Sequence, residues 1–515
     1  MEVTFSSLFI FSILLVLSLK FIQYKLSVTK SRDESGSKLP PGPWKFPIIG
    51  SVHHLALAGS LPHRALRDLS KKYGQIMHLQ LGEVSAVVVS GPRMAKEVLK
   101  THDIALASRP KLASAEIITY NYRDVGFAPY GDYWRQMRKI CVMELLSVKN
   151  VRGFASIRED ETWKTITSIQ DSSSGSSVNL SERIFALTNA ITSRAAFGIG
   201  PKKRHDELIR LSNRIIEMSS GFDLADLFPS KEFIKVISGS NFKLKKLFKN
   251  LDEILDEIIQ EHREKKISGT NSNNIIPSRE EDLVDVLLKI NERGGLDFPI
   301  TTDSIKAIVV DMFIAGTETS ATTIIWAMSE MMRNPRVMEK AQAEVRGLLQ
   351  GKTRTRDEDL KALNYLKLVI KETLRLYPPV PLLLPRECRE KCEIEGYEIP
   401  IGTKIIVNAW TINRDPEFWK DAETFEPERF LNNGIDIIGP NFEYIPFGAG
   451  RRMCPGVSFA APVVELALAQ LLYHFDWKVP DGTKPELLDM TEKLGSNLSR
   501  KNDLCLDPTI WFRFE

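Results

Sequence analysis

The chain opens on an almost unbroken apolar stretch: no charged residue occurs between Val3 and Leu19, and Leu8 to Leu17 is apolar except for Ser12. With Phe21 and Ile22 beyond Lys20, the stretch approaches the roughly 20 residues that cross a hydrocarbon core. A cleaved leader would place basic residues before the apolar run and a small-residue site after it. Here Glu2 precedes the run and Lys20, Lys25, Lys30 and Arg32 come after it. The positive-inside rule therefore puts everything downstream in the cytosol. The expectation is a single-pass anchor over residues 1–24 in the endoplasmic reticulum membrane, a linker and hinge over 25–44, and a cytosolic body over 45–515.

The hinge is Leu39-Pro40-Pro41-Gly42-Pro43-Trp44, and its prolines favour an extended, stiff spacer. Between Tyr73 and Val89 two short alternating runs flank Gly82, which predicts a hairpin. Most of the chain beyond Val89 has the 3.6-residue period of helices, interrupted by the polar stretch Ser268 to Arg279, which reads as a loop between two of them. The pattern predicts a long helix from about Thr302 to Asn334, capped by Thr301 or Thr302 and stopped by Pro335. Its length would be about 50 Å at 1.5 Å per residue. A helix so long and so apolar belongs inside a fold, so the polar residues on it need a reason. The fold class is mainly α with a small β-rich lobe.

Charge adds little: 69 Lys+Arg face 66 Asp+Glu, which gives no ground for a nucleic-acid partner or an acidic substrate. The five cysteines (Cys141, Cys388, Cys392, Cys454 and Cys505) are odd in number and lack disulfide or zinc spacing, which suits a reducing compartment. His53 and His54 are adjacent, and adjacent residues do not converge on one metal.

Four short segments carry candidate chemistry. In Phe447-Gly448-Ala449-Gly450-Arg451-Arg452-Met453-Cys454-Pro455-Gly456 a single cysteine stands in a glycine-rich loop ahead of the apolar helical stretch Val457 to Leu472. A thiolate there is stabilised by the helix dipole and free amides, and glycines let backbone approach a flat cofactor; a buried structural cysteine is the ordinary alternative. In Lys371-Glu372-Thr373-Leu374-Arg375 the acid and arginine share a helix face, which alone is an everyday ion pair. Ala315-Gly316-Thr317-Glu318-Thr319-Ser320 puts a glycine, an acid and three hydroxyls in the long helix; the hydroxyls could simply bond to carbonyls of the preceding turn. In Trp134-Arg135-Gln136-Met137-Arg138 the tryptophan and Arg138 are one turn apart.

Together these segments resemble the signatures of the cytochrome P-450 superfamily, and the resemblance runs from the proline hinge to Cys505. Phe447, Gly450, Arg452, Cys454 and Gly456 match every fixed position of the family's haem-binding loop. The resemblance implies haem b (iron protoporphyrin IX), with Cys454 as axial iron ligand and Trp134, Arg138, Arg386, Phe447 and Arg452 as further cofactor contacts, the arginines and Trp134 on the propionates. Glu318 and Thr319 match the family's oxygen-activation pair and are expected to deliver protons. Phe425-Glu426-Pro427-Glu428-Arg429-Phe430 resembles the family segment that completes a buried triad, so Glu372, Arg375 and Arg429 are expected to be structural.

The resemblance is closest to plant microsomal enzymes that oxidise terpenoids and indole alkaloids. The implied activity is an NADPH- and O2-dependent monooxygenase that hydroxylates or epoxidises a lipophilic secondary metabolite. Its electrons would come from NADPH through a membrane-bound flavoprotein, the NADPH-cytochrome P-450 reductase, docking on the face of Arg135 and Lys139. Positions that resemble the family's pocket lining are Ile117, Ile118, Asp311, Phe313, Ile314, Ala315, Val380, Leu383, Leu384 and Leu498. Nearly all are apolar, which favours a terpenoid. Asp311 could pair with a protonated amine and so keeps an indole alkaloid as the alternative, while its ordinary reading is a carboxylate held by neighbouring elements. Two remoter readings are a reductase-independent haem-thiolate isomerase, for which the acid–threonine pair argues poorly, and a haem-binding sensor, which would not require Thr319.

Overall fold

The long helix predicted from the hydrophobic pattern is the axis of the molecule. In the computed structural model, which describes residues 38–172, 176–218, 224–231, 234, 240–270, 281–495 and 497–512, it runs Thr302–Arg333. The Thr301 side chain accepts from the Ser304 amide at its start, and Pro335 begins the next helix, Pro335–Leu349, immediately beyond Asn334. Both ends are those expected from an N-terminal hydroxyl cap and a proline stop. The membrane anchor and most of the linker, 1–37, lie outside the described residues, as does the polar stretch 271–280. The start of that stretch, read as loop from Ser268, is still helical, since Ser240–Thr270 is one helix.

Three helices enclose the long one: Leu180–Phe197, Tyr365–Leu376 and Val457–His474. The long helix and Val457–His474 are apolar enough to cross a membrane, yet both are mostly buried by their neighbours, as core helices are. Leu180–Phe197 approaches the long helix at Gly316, where an added Cβ would come within 3.2 Å of the Thr192 methyl. That contact explains the glycine: it lets two helices pack closely, and the helix continues through it without a break. Near the far end, Trp326 is fully buried, stacks on Tyr377 at 4.0 Å between centroids, and donates its indole N–H to Leu498 O at 2.9 Å. A large aromatic body with its one polar atom satisfied is the favourable way to fill such a space.

The β-rich lobe is built on the predicted hairpin, Ile76–Leu81 paired antiparallel with Val84–Val89. Lys404–Val407 adds in parallel to the second strand and Arg386–Glu387 adds to that in turn. The sheet is covered on both faces: Ile76, Val87 and Val89 face Met94 and Val98 on one side, and Met77, Leu79, Ala86 and Val88 face Leu66 and Leu227 on the other. Two-sided burial explains why Ala86-Val87-Val88-Val89 is continuously apolar. The proline-rich run, expected to stand off as a spacer, instead lies against this sheet. His78 donates its amide to Pro41 O at 2.8 Å, and a Cβ on Gly42 would sit 2.0 Å from His78 O. The globular body therefore begins before residue 45.

A buried ion network ties the helix Tyr365–Leu376 to the segment after it. Arg375 forms a two-pronged pair with Glu372 at 2.7 and 2.8 Å, and Arg429 Nε reaches the same carboxylate at 2.8 Å. Arg375 also donates to Asn413 O, Ala422 O and Thr424 O, and the Glu426 amide donates to Glu372. Every charge has a partner and nearly every donor an acceptor, the condition under which a buried ion network is tolerated. Removing one arm would leave uncompensated charge in the interior, at a cost of about 3–5 kcal/mol.

Candidate functional site

The cysteine loop is shaped by backbone demands that only its glycines meet. Gly450 has φ +71°, and a Cβ there would lie 2.1 Å from Leu99 O and 2.8 Å from the Asp103 carboxylate. No side chain fits. The loop closes on itself through the Cys454 amide, which donates to Phe447 O at 3.0 Å, and the Arg451 amide donates to Asp103 Oδ2 at 2.8 Å. Just beyond, Gly456 caps the helix Val457–His474 and points its amide at Cys454 Sγ at 3.4 Å. Burial pushes the thiol up, while that amide and the nearby Arg138 guanidinium favour the thiolate. Cys454 is surrounded by protein yet presents exposed surface, as does Ala315 in mid-helix.

Four arginines converge beside this loop. Arg386 pairs with Asp103 at 2.6 Å and donates to Ala449 O at 2.9 Å. Arg452 donates to Ala107 O, Val125 O and Ala128 O and stacks over the Trp134 ring at 4.2 Å. Trp134 donates its indole N–H to Val125 O at 3.1 Å, and Arg138 donates to Met453 O at 2.5 Å. The fourth, Arg109, is buried and donates to Gly126 O at 2.8 Å and to Leu384 O and Pro385 O at 2.7 Å. Carbonyl oxygens satisfy these N–H groups but bring no net charge. Burial, together with repulsion from Arg386 and Arg138, pushes Arg452 down to about 9, and burial with repulsion from Arg452 and Arg386 drives Arg109 well below its ordinary value. A guanidinium does not give up its proton in a protein. The crowding of like charge instead favours an anion among the four guanidinium groups.

This donor set fits haem: a thiolate-capable sulfur for the iron, glycines that let backbone approach a plane, and an excess of guanidinium charge for two carboxylates. Arg386, Arg452, Arg138 and Trp134, predicted from sequence, are brought together. Arg109, Asp103 and Asp124 were not foreseen. Arg109 stands in Ser108-Arg109-Pro110, outside any helix or strand, where no periodicity marks it.

On the long helix, the hydroxyls do bond to the preceding turn: Thr317 to Phe313 O at 2.8 Å, Thr319 to Ala315 O at 2.7 Å, and Thr323 to Thr319 O at 2.9 Å. Ser320 Oγ, by contrast, is buried with no partner among the described residues. Asn497 donates to Thr322 Oγ1 at 3.0 Å and reaches Glu318 O at 3.5 Å, fastening the start of the strand Leu498–Arg500 to this turn.

Of the expected lining residues, Ile117, Ile118, Ile314, Val380 and Leu383 are half-buried, and Ala315 and Leu384 are exposed. Phe313 and Leu498 are enclosed instead: Phe313 packs against Phe197 at 5.6 Å between centroids, and Leu498 has no exposed surface. Asp311 is engaged by backbone, its Oδ2 accepting the amides of Val125 at 2.9 Å and Gly126 at 3.1 Å.

Comparison with known proteins agrees with this site. A family model for cytochrome P450 matches residues 40–506. The chain is 55% identical over 498 residues to premnaspirodiene oxygenase of Hyoscyamus muticus, covering 97% of each chain. It is 53% identical over 499 residues to 5-epiaristolochene 1,3-dihydroxylase of Nicotiana tabacum, again covering 97% of each. With germacrene A hydroxylase of Saussurea costus it shares 50% over 495 residues, covering 96% of this chain and 98% of that one. A solved zebra fish cytochrome P450 with abiraterone superposes with a TM-score of 0.74 at 25% identity, covering 88% of this chain and 99% of that one. The thiol loop, its guanidinium surround and this likeness along nearly the whole chain lead to one conclusion: the chain belongs to the cytochrome P450 family and is a haem-binding monooxygenase.

Proposed function

We propose that the protein hydroxylates or epoxidises a terpenoid hydrocarbon, using O2 and electrons passed from NADPH by the NADPH-cytochrome P450 reductase. The observation that carries the substrate class is the identity of at least half, over nearly full length, to enzymes named for premnaspirodiene, 5-epiaristolochene, germacrene A and amorpha-4,11-diene. The lining supports it. Ile117, Ile118, Ile314, Val380, Leu383 and Leu384 reward burial of hydrocarbon at about 25 cal/mol per Å² and offer nothing to a charged ligand. The one carboxylate near them, Asp311, already accepts two backbone amides, which weakens the case for a basic alkaloid.

Within this reading Cys454 would supply the thiolate that holds the haem iron, supported by the Gly456 amide and the charge of Arg138. Arg386, Arg452, Arg138, Trp134 and Arg109 hold the cofactor carboxylates. The bound haem supplies the reductive activation of O2 and the insertion of one oxygen atom into substrate. The chain's part in that step is to exclude bulk water with the apolar lining and to pass protons. In this reading Thr319 passes them: its hydroxyl, which donates to the Ala315 carbonyl at 2.7 Å, would leave that carbonyl to donate elsewhere. Glu318, beside it, is the acid that restores the proton. The reductase docks where Arg135 and Lys139 project outward from the helix Asp132–Ile140, while Trp134 and Met137 face inward. Residues 1–24 anchor the protein in the endoplasmic reticulum with its body in the cytosol.

Three outcomes test this reading. Membranes containing the protein and a reductase, given NADPH and premnaspirodiene, germacrene A or amorpha-4,11-diene, should yield a product heavier by one oxygen atom; turnover confined to basic indole substrates would overturn the substrate class. Thr319→Ala should keep NADPH consumption while product formed per NADPH drops by about two orders of magnitude, the lower end of what a positioned proton donor contributes. An unchanged ratio would leave Thr319 a helix-packing residue. Charge reversal at both Arg135 and Lys139 should slow haem reduction about tenfold at low salt and flatten its dependence on ionic strength, since surface charges act mainly on association rate. Stopped-flow reduction at the wild-type rate would place the docking surface elsewhere.

A further inference from the structure

The carboxylate of Asp311 has a task that neither substrate binding nor proton transfer explains. It lies on the long helix one turn before Ala315, and its Oδ2 accepts two consecutive amide N–H groups of the segment packed against that helix, Val125 at 2.9 Å and Gly126 at 3.1 Å. Those two residues are also held at their other ends. Val125 O accepts from Trp134 Nε1 at 3.1 Å and from Arg452 at 3.3 Å, and Gly126 O accepts from Arg109 Nε at 2.8 Å. The peptide units on both sides are thus strung between one carboxylate and the cationic or N–H groups of the arginine cluster.

We propose that Asp311 is a positioning residue for the cofactor: by fixing the Val125–Gly126 segment it orients the carbonyls that aim Trp134, Arg452 and Arg109 at the haem carboxylates. The long helix, which bears Thr319, and the arginine clamp are thereby registered to one another through a single side chain. An amide N–H that donates to an ionised carboxylate makes a stronger bond than one between neutral groups, and two such bonds to one oxygen define the height and tilt of the segment.

A second acid completes the arrangement. Asp124 Oδ2 accepts the Phe127 amide at 2.7 Å, closing the turn from its other side, and Asp124 Oδ1 is buried with no partner among the described residues. Gly126 sits between the two carboxyl groups. A Cβ on it would lie 3.2 Å from Asp124 Oδ2 and 3.7 and 3.8 Å from the two oxygens of Asp311. Two buried acids so close resist double ionisation. Burial raises Asp311 to about 6, and burial with repulsion from Asp311 raises Asp124 well above its ordinary range.

The inference rests on the arginine clamp proposed above, and the experiment separates the two. Full-length wild type, Asp311→Ala, Asp311→Asn and Arg452→Ala are loaded with haem, and the rate of haem transfer to excess apomyoglobin is followed alongside thermal unfolding. Asp311→Ala should release haem about tenfold faster or more, the usual effect of losing a supporting hydrogen bond at a metal site. Asn keeps an acceptor oxygen in place, so Asp311→Asn should restore a rate within about threefold of wild type. If the alanine variant yields no holoprotein, recovery of holoprotein by Asp311→Asn supports the same tie. Alanine releasing haem at the wild-type rate, or asparagine releasing it as fast as alanine, overturns the proposal. Arg452→Ala reports on the clamp alone: slow release in that variant would place the failure there and not in the Asp311 tie.

Discussion

Burying positive charge is the constraint that organises this molecule. Arg109 and Arg386 are almost fully enclosed, Arg452 and Arg138 are largely so, and the acids that meet them are Asp103 and Asp124. Their N–H groups find acceptors in carbonyls of at least three separate segments: 107–128, 384–385 and 449–453. Irregular backbone can stay inside a fold only when its polar groups are paired, and here the arginines do the pairing. The converse also holds. An enclosed guanidinium is tolerated only if anions reach it, and in the function proposed here the two carboxylates of haem would join Asp103 and Asp124 in that part. Cofactor affinity and loop conformation are two sides of one electrostatic requirement.

A second charged network plays a matching part on the helix Tyr365–Leu376. Glu372 has no exposed surface and is met by Arg375, Arg429 and the Glu426 amide, so the segment 413–429 is pinned to the helix Tyr365–Leu376. That segment leads into the cysteine loop, and Tyr444, shortly before it, donates to Lys371 O at 2.9 Å. The two networks differ in kind. Around Glu372 the donors, acceptors and charges nearly balance within the polypeptide, whereas around Arg452 the proposed function has the cofactor's carboxylates complete the balance.

What could be read from the sequence were features with local causes. The limits of the long helix come from a hydroxyl cap and a proline, the hairpin comes from alternation around Gly82, and the cysteine loop is a contiguous motif. Features that depend on which distant segments meet were not legible. Arg109 lies in backbone without period, and its acceptors come from residues 126, 384 and 385. Gly316 reads only as a residue poorly suited to a helix, and the reason for it, the approach of Thr192 from another helix, lies outside its own segment. Phe313 and Leu498 were placed in the pocket on resemblance. The rotation of the long helix turns Phe313 onto Phe197, and the strand of Leu498 is drawn inward by Trp326. Asp311 reads equally well as an amine ligand or a tethered carboxylate, and only the position of residues 125 and 126 decides between them. The proline run is stiff, as its composition demands, but stiffness does not say whether it stands free or lies on a sheet.

The central claim is that the enclosed arginines are built for the two carboxylates of the cofactor, and it can be tested without any turnover. Apoprotein is titrated with haem and with haem whose propionates are methyl esters, and binding is read from the thiolate-ligated absorbance. Losing both charge pairs should weaken binding at least about thirtyfold, equivalent to about 2 kcal/mol, because a buried charge would be left unpaired. Equal affinity for acid and ester would contradict the account, since the arginine cluster would then serve the polypeptide alone.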